Sequence, residues 1–82
     1  MIDVLYFAWV RERIGLPKEQ IETQAKTVAE LVSELVEREE RYAVAFSDLS
    51  SLRCAVDQEL VEFDAPITAA REVAFFPPMT GG

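Results

Sequence analysis

The chain predicts an α+β fold: a mixed four- to five-stranded sheet, one main helix packed on one face, and a flexible C-terminal Gly-Gly tail. Three observations predict it. Apolar and polar residues alternate near both ends of the chain, as they do in half-buried strands. Between them, Val28, Leu31, Val32, Leu35 and Val36 recur at helical spacing and form a single stripe, enough to cover one face of one small sheet. Finally, the last alternating segment runs into Pro77-Pro78 and the sequence closes on Gly81-Gly82. We therefore divide it into a domain, residues 1–76, and an extended tail, residues 77–82.

Composition narrows the function. Eighty-two residues make one domain, and a chain of this size buries roughly 60% of the surface it exposes when unfolded. Half of its residues are hydrophobic, so it has material for a core. Fifteen acidic residues against eight basic ones give a net charge of −7, which argues against nucleic acid and for a basic partner surface. No apolar run is long enough to span a membrane, and no secretory leader is evident. The single cysteine, Cys54, has no intrachain partner, as expected of a reducing, cytoplasmic setting.

The elements follow in order. Met1–Ala8 alternates, with Ile2, Val4 and Tyr6 on one face and Asp3, Leu5 and Phe7 on the other. Trp9–Ile14 reads as a short helical turn closed by Gly15 and stopped by Pro17. Lys18–Ala25 alternates again and suits a charged edge strand, antiparallel to the first. Thr27-Val28-Ala29-Glu30 is a capping box ahead of the main helix. A second short helix is expected over Tyr42–Phe46, and a strand over Leu52–Asp57, where Cys54 shares a face with Leu52 and Val56 and is therefore expected to be buried and inert. Asp57-Gln58-Glu59 turns into a short strand at Leu60-Val61, and Ala65-Pro66 breaks the chain. Glu72–Phe76 is the last strand, with Val73 and Phe75 inward and Phe76 a candidate exposed aromatic at the root of the tail.

The chemistry-bearing residues are few. With no histidine there is no ordinary general base and no Ser-His or Cys-His nucleophile, and one cysteine cannot hold zinc. No metal site and no bound cofactor are expected, and an independent enzyme is disfavoured. The tail is different. Two prolines end sheet pairing and favour an extended exit, so Pro77–Gly82 reaches about 20 Å from the body. Two glycines let its end enter a narrow channel. The reactive group is then the Gly82 carboxylate, an acyl donor only once activated.

The octapeptide Phe75-Phe76-Pro77-Pro78-Met79-Thr80-Gly81-Gly82 resembles the C-terminus of the molybdopterin synthase small subunit, the MoaD family of ubiquitin-like sulfur carriers. The Phe7-Ala8-x-x-Arg11-Glu12 segment and the Ala55-Val56-Asp57-Gln58-x-Leu60-Val61 stretch resemble it too, although the family tends to carry Asn where Asp57 stands. A second departure is Thr68-Ala69-Ala70-Arg71, where many members have a glycine-containing acidic turn.

The resemblance implies a β-grasp fold and a carrier role. An E1-like enzyme would use ATP to adenylate Gly82, and a sulfur donor system would displace AMP to leave a thiocarboxylate. Thr80, Gly81 and Gly82 would then insert into the large subunit, which holds the catalytic lysines and cyclic pyranopterin monophosphate, in a heterotetramer. Phe7, Arg11, Leu60 and Phe76 match the family's docking contacts. Two rival readings share the fold: a carrier for thiamine or tRNA thiolation, and a ubiquitin-like protein modifier. An inert interaction domain is the third.

Overall fold

The computed structural model describes residues 1–78. Strand β1, Ile2–Tyr6, buries Ile2, Val4 and Tyr6 and leaves Asp3 and Leu5 on the opposite face, as its alternation requires. Helix α1, Ala8–Ile14, ends at Gly15, whose φ of 90° is the left-handed C-cap that glycine adopts without strain. Strand β2, Lys18–Ile21, pairs antiparallel with β1. Helix α2, Val28–Arg38, leads into α3, Glu40–Ala45, and a 3-10 turn, Leu49–Ser51. Strands β3, Arg53–Val56, and β4, Glu59–Val61, form a hairpin, and β5 is Glu72–Phe76. The strand order is β2-β1-β5-β3-β4, with β5 parallel to β1 and antiparallel to β3. The antiparallel first hairpin is the one the sequence led us to expect.

The helix start is the predicted box with one shift. The Glu30 amide donates to Thr27 Oγ1 at 3.2 Å, while the Glu30 carboxylate accepts from the Lys26 amide, one residue before the cap, at 3.1 Å. Val28, Leu31 and Leu35 are fully buried on the sheet.

Helix α2 does not cover the sheet alone. Eleven residues make a helix about 16 Å long and about 10 Å across, whereas the outer strands of a five-stranded sheet lie about 19 Å apart. The remainder is closed by Val10 and Ile14 of α1 and by Tyr42, Ala45 and Phe46 around α3. Phe75 is the hub of that end, stacked on Tyr6 at 6.3 Å and met edge-on by Phe46 at 4.9 Å.

Strand β2 is shorter than the alternation over Lys18–Ala25 suggested. Ile21 pairs with Ile2, the first residue of β1, and the ladder ends at that pair. The following residues turn away instead, with the Ala25 amide on Thr23 Oγ1 and the Thr23 hydroxyl on the Glu34 carboxylate of α2. At its other end β1 likewise stops early, and Ala8 belongs to α1.

The turn over residues 68–71 needs no glycine. Positive φ among the described residues occurs only at Ala8, Gly15, Asp57 and Gln58, and the turn closes through the Ala70 amide on the Ile67 carbonyl at 3.0 Å. Asp57 and Gln58, at φ 49° and 71°, are the two central residues of the β3–β4 hairpin, where both must be left-handed. The Asp57 carboxylate also accepts from the Arg71 and Glu72 amides at 2.9 and 3.0 Å, fixing the start of β5. Among the described residues no helix is long and apolar enough to cross a membrane.

Candidate functional site

The candidate site is the sheet face that the helices leave open. Directly paired residues share a face, so the register defines it. One row crosses the whole sheet: Lys18, Leu5, Ala74, Ala55 and Leu60. A row to one side is polar, with Gln20, Asp3 and Glu72. On the other side, towards the tail, Phe76 pairs with Arg53, and the Phe7 amide continues the ladder onto the Phe75 carbonyl at 3.1 Å. The open face therefore grades from carboxylates, through small and aliphatic side chains, to two phenylalanines where the chain leaves β5.

Each predicted contact residue has a definite place. Leu60 is 66% exposed and Phe7 44% exposed. Arg11 is exposed on α1, and its amide donates to the Phe7 carbonyl at 3.4 Å. Phe76 is partly buried, not the exposed aromatic its alternation with Glu72 suggested. The reason is topological: β5 is the middle strand, and β1 and β3 shade it from both sides. The structure places Phe7 and Phe76 at one end and sets Leu60 two strands and two residues of register away from Phe76, about 12 Å. Thr80, Gly81 and Gly82 lie outside the described residues. Strand β5 ends at Phe76, directly before Pro77, as a residue without an amide proton requires.

Two members of the patch carried no sequence signal. Ala55 and Ala74 join Leu5 to Leu60 across the sheet, but an alanine in a strand is indistinguishable from filler until its neighbours are known. Around the β4 edge the patch continues into an open groove of about 620 Å³ lined by Leu49, Arg53, Leu60 and Phe63 among others.

A further feature is the backbone of Ala8. Its φ is 53°, a left-handed conformation that costs an alanine about 1 kcal/mol. It sits between the last ladder bond of Phe7 and the first amides of α1, where Val10 and Arg11 both donate to the Phe7 carbonyl.

The titratable groups behind the sheet are structural. The Tyr6 and Tyr42 hydroxyls both donate to Glu19 Oε2, at 2.8 and 2.5 Å, tying β1, β2 and α3 together. Burial, then the bond to the Glu19 carboxylate, raises both phenols above their ordinary value, Tyr42 to about 12. Cys54 is fully buried, its thiol donating to the Val61 carbonyl at 3.4 Å, and burial pushes it up to about 11. A thiol so placed is protonated and out of reach, as its shared face with Leu52 and Val56 indicated. Among the described residues no group of three or more His, Cys, Asp or Glu side chains could hold a metal ion.

A five-stranded mixed sheet with a central parallel pair, one main helix across it and the C-terminal strand in the middle is the ubiquitin-like β-grasp. SAMP1 from Haloferax volcanii shares it, with a TM-score of 0.77 at 21% identity over 99% of this chain and 98% of that one. Residues 4–82 match the ThiS family model, and the chain belongs to that family. Over its full 82 residues, and the full length of each relative, it is 45% identical to the molybdopterin synthase sulfur carrier subunit of Escherichia coli and 34% identical to that of Haemophilus influenzae.

Proposed function

We propose that this chain is the sulfur carrier subunit of a molybdopterin synthase. The observation that carries the proposal is the 45% identity, end to end, with a relative of that name. The open apolar face beside the exit of β5 supports it, since a carrier must dock by its body and react by its tail.

In this reading the Gly82 carboxylate attacks the α-phosphorus of ATP on an E1-like enzyme, giving an acyl-adenylate and pyrophosphate. Sulfide supplied by a donor system attacks the acyl carbon, the bond to the AMP oxygen breaks, and the thiocarboxylate is left with no change of oxidation level. The carrier then docks on the large subunit through Phe7, Arg11, Leu60 and Phe76, and Thr80, Gly81 and Gly82 enter its channel. The catalytic lysines there direct sulfur onto cyclic pyranopterin monophosphate, and two deliveries complete the dithiolene. Two small and two large subunits make the assembly, and the reactions belong to the cytoplasm. This chain binds no cofactor of its own; it supplies a docking face and an acyl end.

The test is intact mass after incubation with ATP, the cognate activating enzyme and a sulfur source. The expected gain equals one oxygen replaced by sulfur and vanishes when Gly82 is deleted. No gain, with the enzyme competent on another carrier, refutes the proposal, and isopeptide adducts on lysines of other proteins would identify a modifier instead.

A further inference from the structure

We infer that Ala8 is a positioning residue: its left-handed backbone aims Phe7 at the partner of the open face. The inference rests on the docking role proposed for Phe7. Four described residues have positive φ, and three have local explanations. Gly15 caps α1, and Asp57 and Gln58 form a hairpin turn that requires it. Ala8 has neither explanation.

Its neighbours show what the conformation achieves. Phe7 keeps extended geometry, φ −124° and ψ 154°, and its amide stays on the Phe75 carbonyl. Its own carbonyl already receives the Val10 and Arg11 amides of α1. The chain thus passes from sheet ladder to helix within one residue, and the whole change of direction falls on Ala8. Because the reversal comes after Phe7, that ring remains on the strand's open face beside Phe76 and is 44% exposed. Ala8 itself is exposed, so a larger side chain there is not driven into the core of the free chain.

The experiment is a double-mutant cycle between positions 7 and 8, read as the Kd for the purified large subunit of the cognate synthase. A β-branched residue is strongly disfavoured at positive φ, so Ala8→Val depopulates the aimed conformation, and apparent affinity falls with the competent fraction. We expect about 3–10-fold weaker binding in the native background. In a Phe7→Ala background the same change has at most about a twofold effect, because no ring is left to aim. Ala8→Gly tests the opposite direction and is compatible with the fold: it raises the unfolding midpoint and leaves Kd within about twofold of native.

Native affinity in Ala8→Val overturns the inference. So does an equal loss without the Phe7 ring, which would mean that Ala8 acts through general stability, or a loss in Ala8→Gly as large as in Ala8→Val. If Phe7→Ala alone binds like the native chain, the docking role of Phe7 fails and the inference falls with it.

Discussion

Leu60 offers the cleanest separation of docking from folding. It is 66% exposed, so it contributes little to the core and has most of its surface left to bury against a partner. Complete burial of a leucine side chain contributes about 1.5–3 kcal/mol. Two-thirds of that, about 1–2 kcal/mol, is available at an interface. Leu60→Ala removes most of it and should weaken binding to the large subunit about 5–30-fold. Stability should move by less than about 0.5 kcal/mol, as for other exposed positions. The assay pairs a calorimetric titration of the large subunit with urea unfolding of the free chain. Unchanged affinity at unchanged stability would remove Leu60, and with it the far end of the Leu5–Ala74–Ala55–Leu60 row, from the docking face. Loss of stability comparable to the loss of affinity would show that Leu60 belongs to the fold.

Two further predictions concern the scaffold. Because the folded phenols of Tyr6 and Tyr42 hold their protons above the unfolded value of 10.0, their contribution is fully present below pH 10 and is lost as pH rises, for Tyr42 through about 12. The buried thiol of Cys54 adds a loss with the same sign from 9.0 to about 11. The urea midpoint should therefore fall steeply above pH 9, and less steeply in Tyr42→Phe, which at neutral pH should itself cost about 1.5–3 kcal/mol through the lost bond to Glu19; equal slopes in the two chains would discount the phenol. Asp57→Ala removes the acceptor of two β5 amides and a residue tolerant of positive φ, and should cost about 2 kcal/mol in chemical denaturation. Asp57→Asn keeps both and should be nearly silent; a loss as large as alanine's would mean that the negative charge matters more than the geometry.

Much of the fold was legible because its determinants are local. The capping box and the Val28–Val36 stripe define α2 within ten residues, and the alternation of Ile2, Val4 and Tyr6 sorts the faces of β1. Gly15 ends α1 where a C-cap glycine is expected. What failed to read from the sequence was set by partners distant in the chain. The end of β2 depends on the register that sets Ile21 opposite Ile2, and the burial of Phe76 depends on which strands flank β5. Glu19 looks like one more surface carboxylate until the register brings it to two tyrosines, one of them 23 positions away.

The amino-acid sequence by itself determined the inventory: a small acidic chain, one long amphipathic helix, no histidine, and a Pro77-Pro78 step after the last strand. The family resemblance, not periodicity, singled out Phe7, Arg11, Leu60 and Phe76 as docking candidates. Only the tertiary structure decided that Leu5, Ala74, Ala55 and Leu60 form one row, that Phe7 and Phe76 fall on neighbouring strands where β5 ends, and that Ala8 turns left-handed between strand and helix. The reason is that periodicity encodes which face of its own element a residue occupies, whereas adjacency across strands is set by register, which the packing of the whole chain selects.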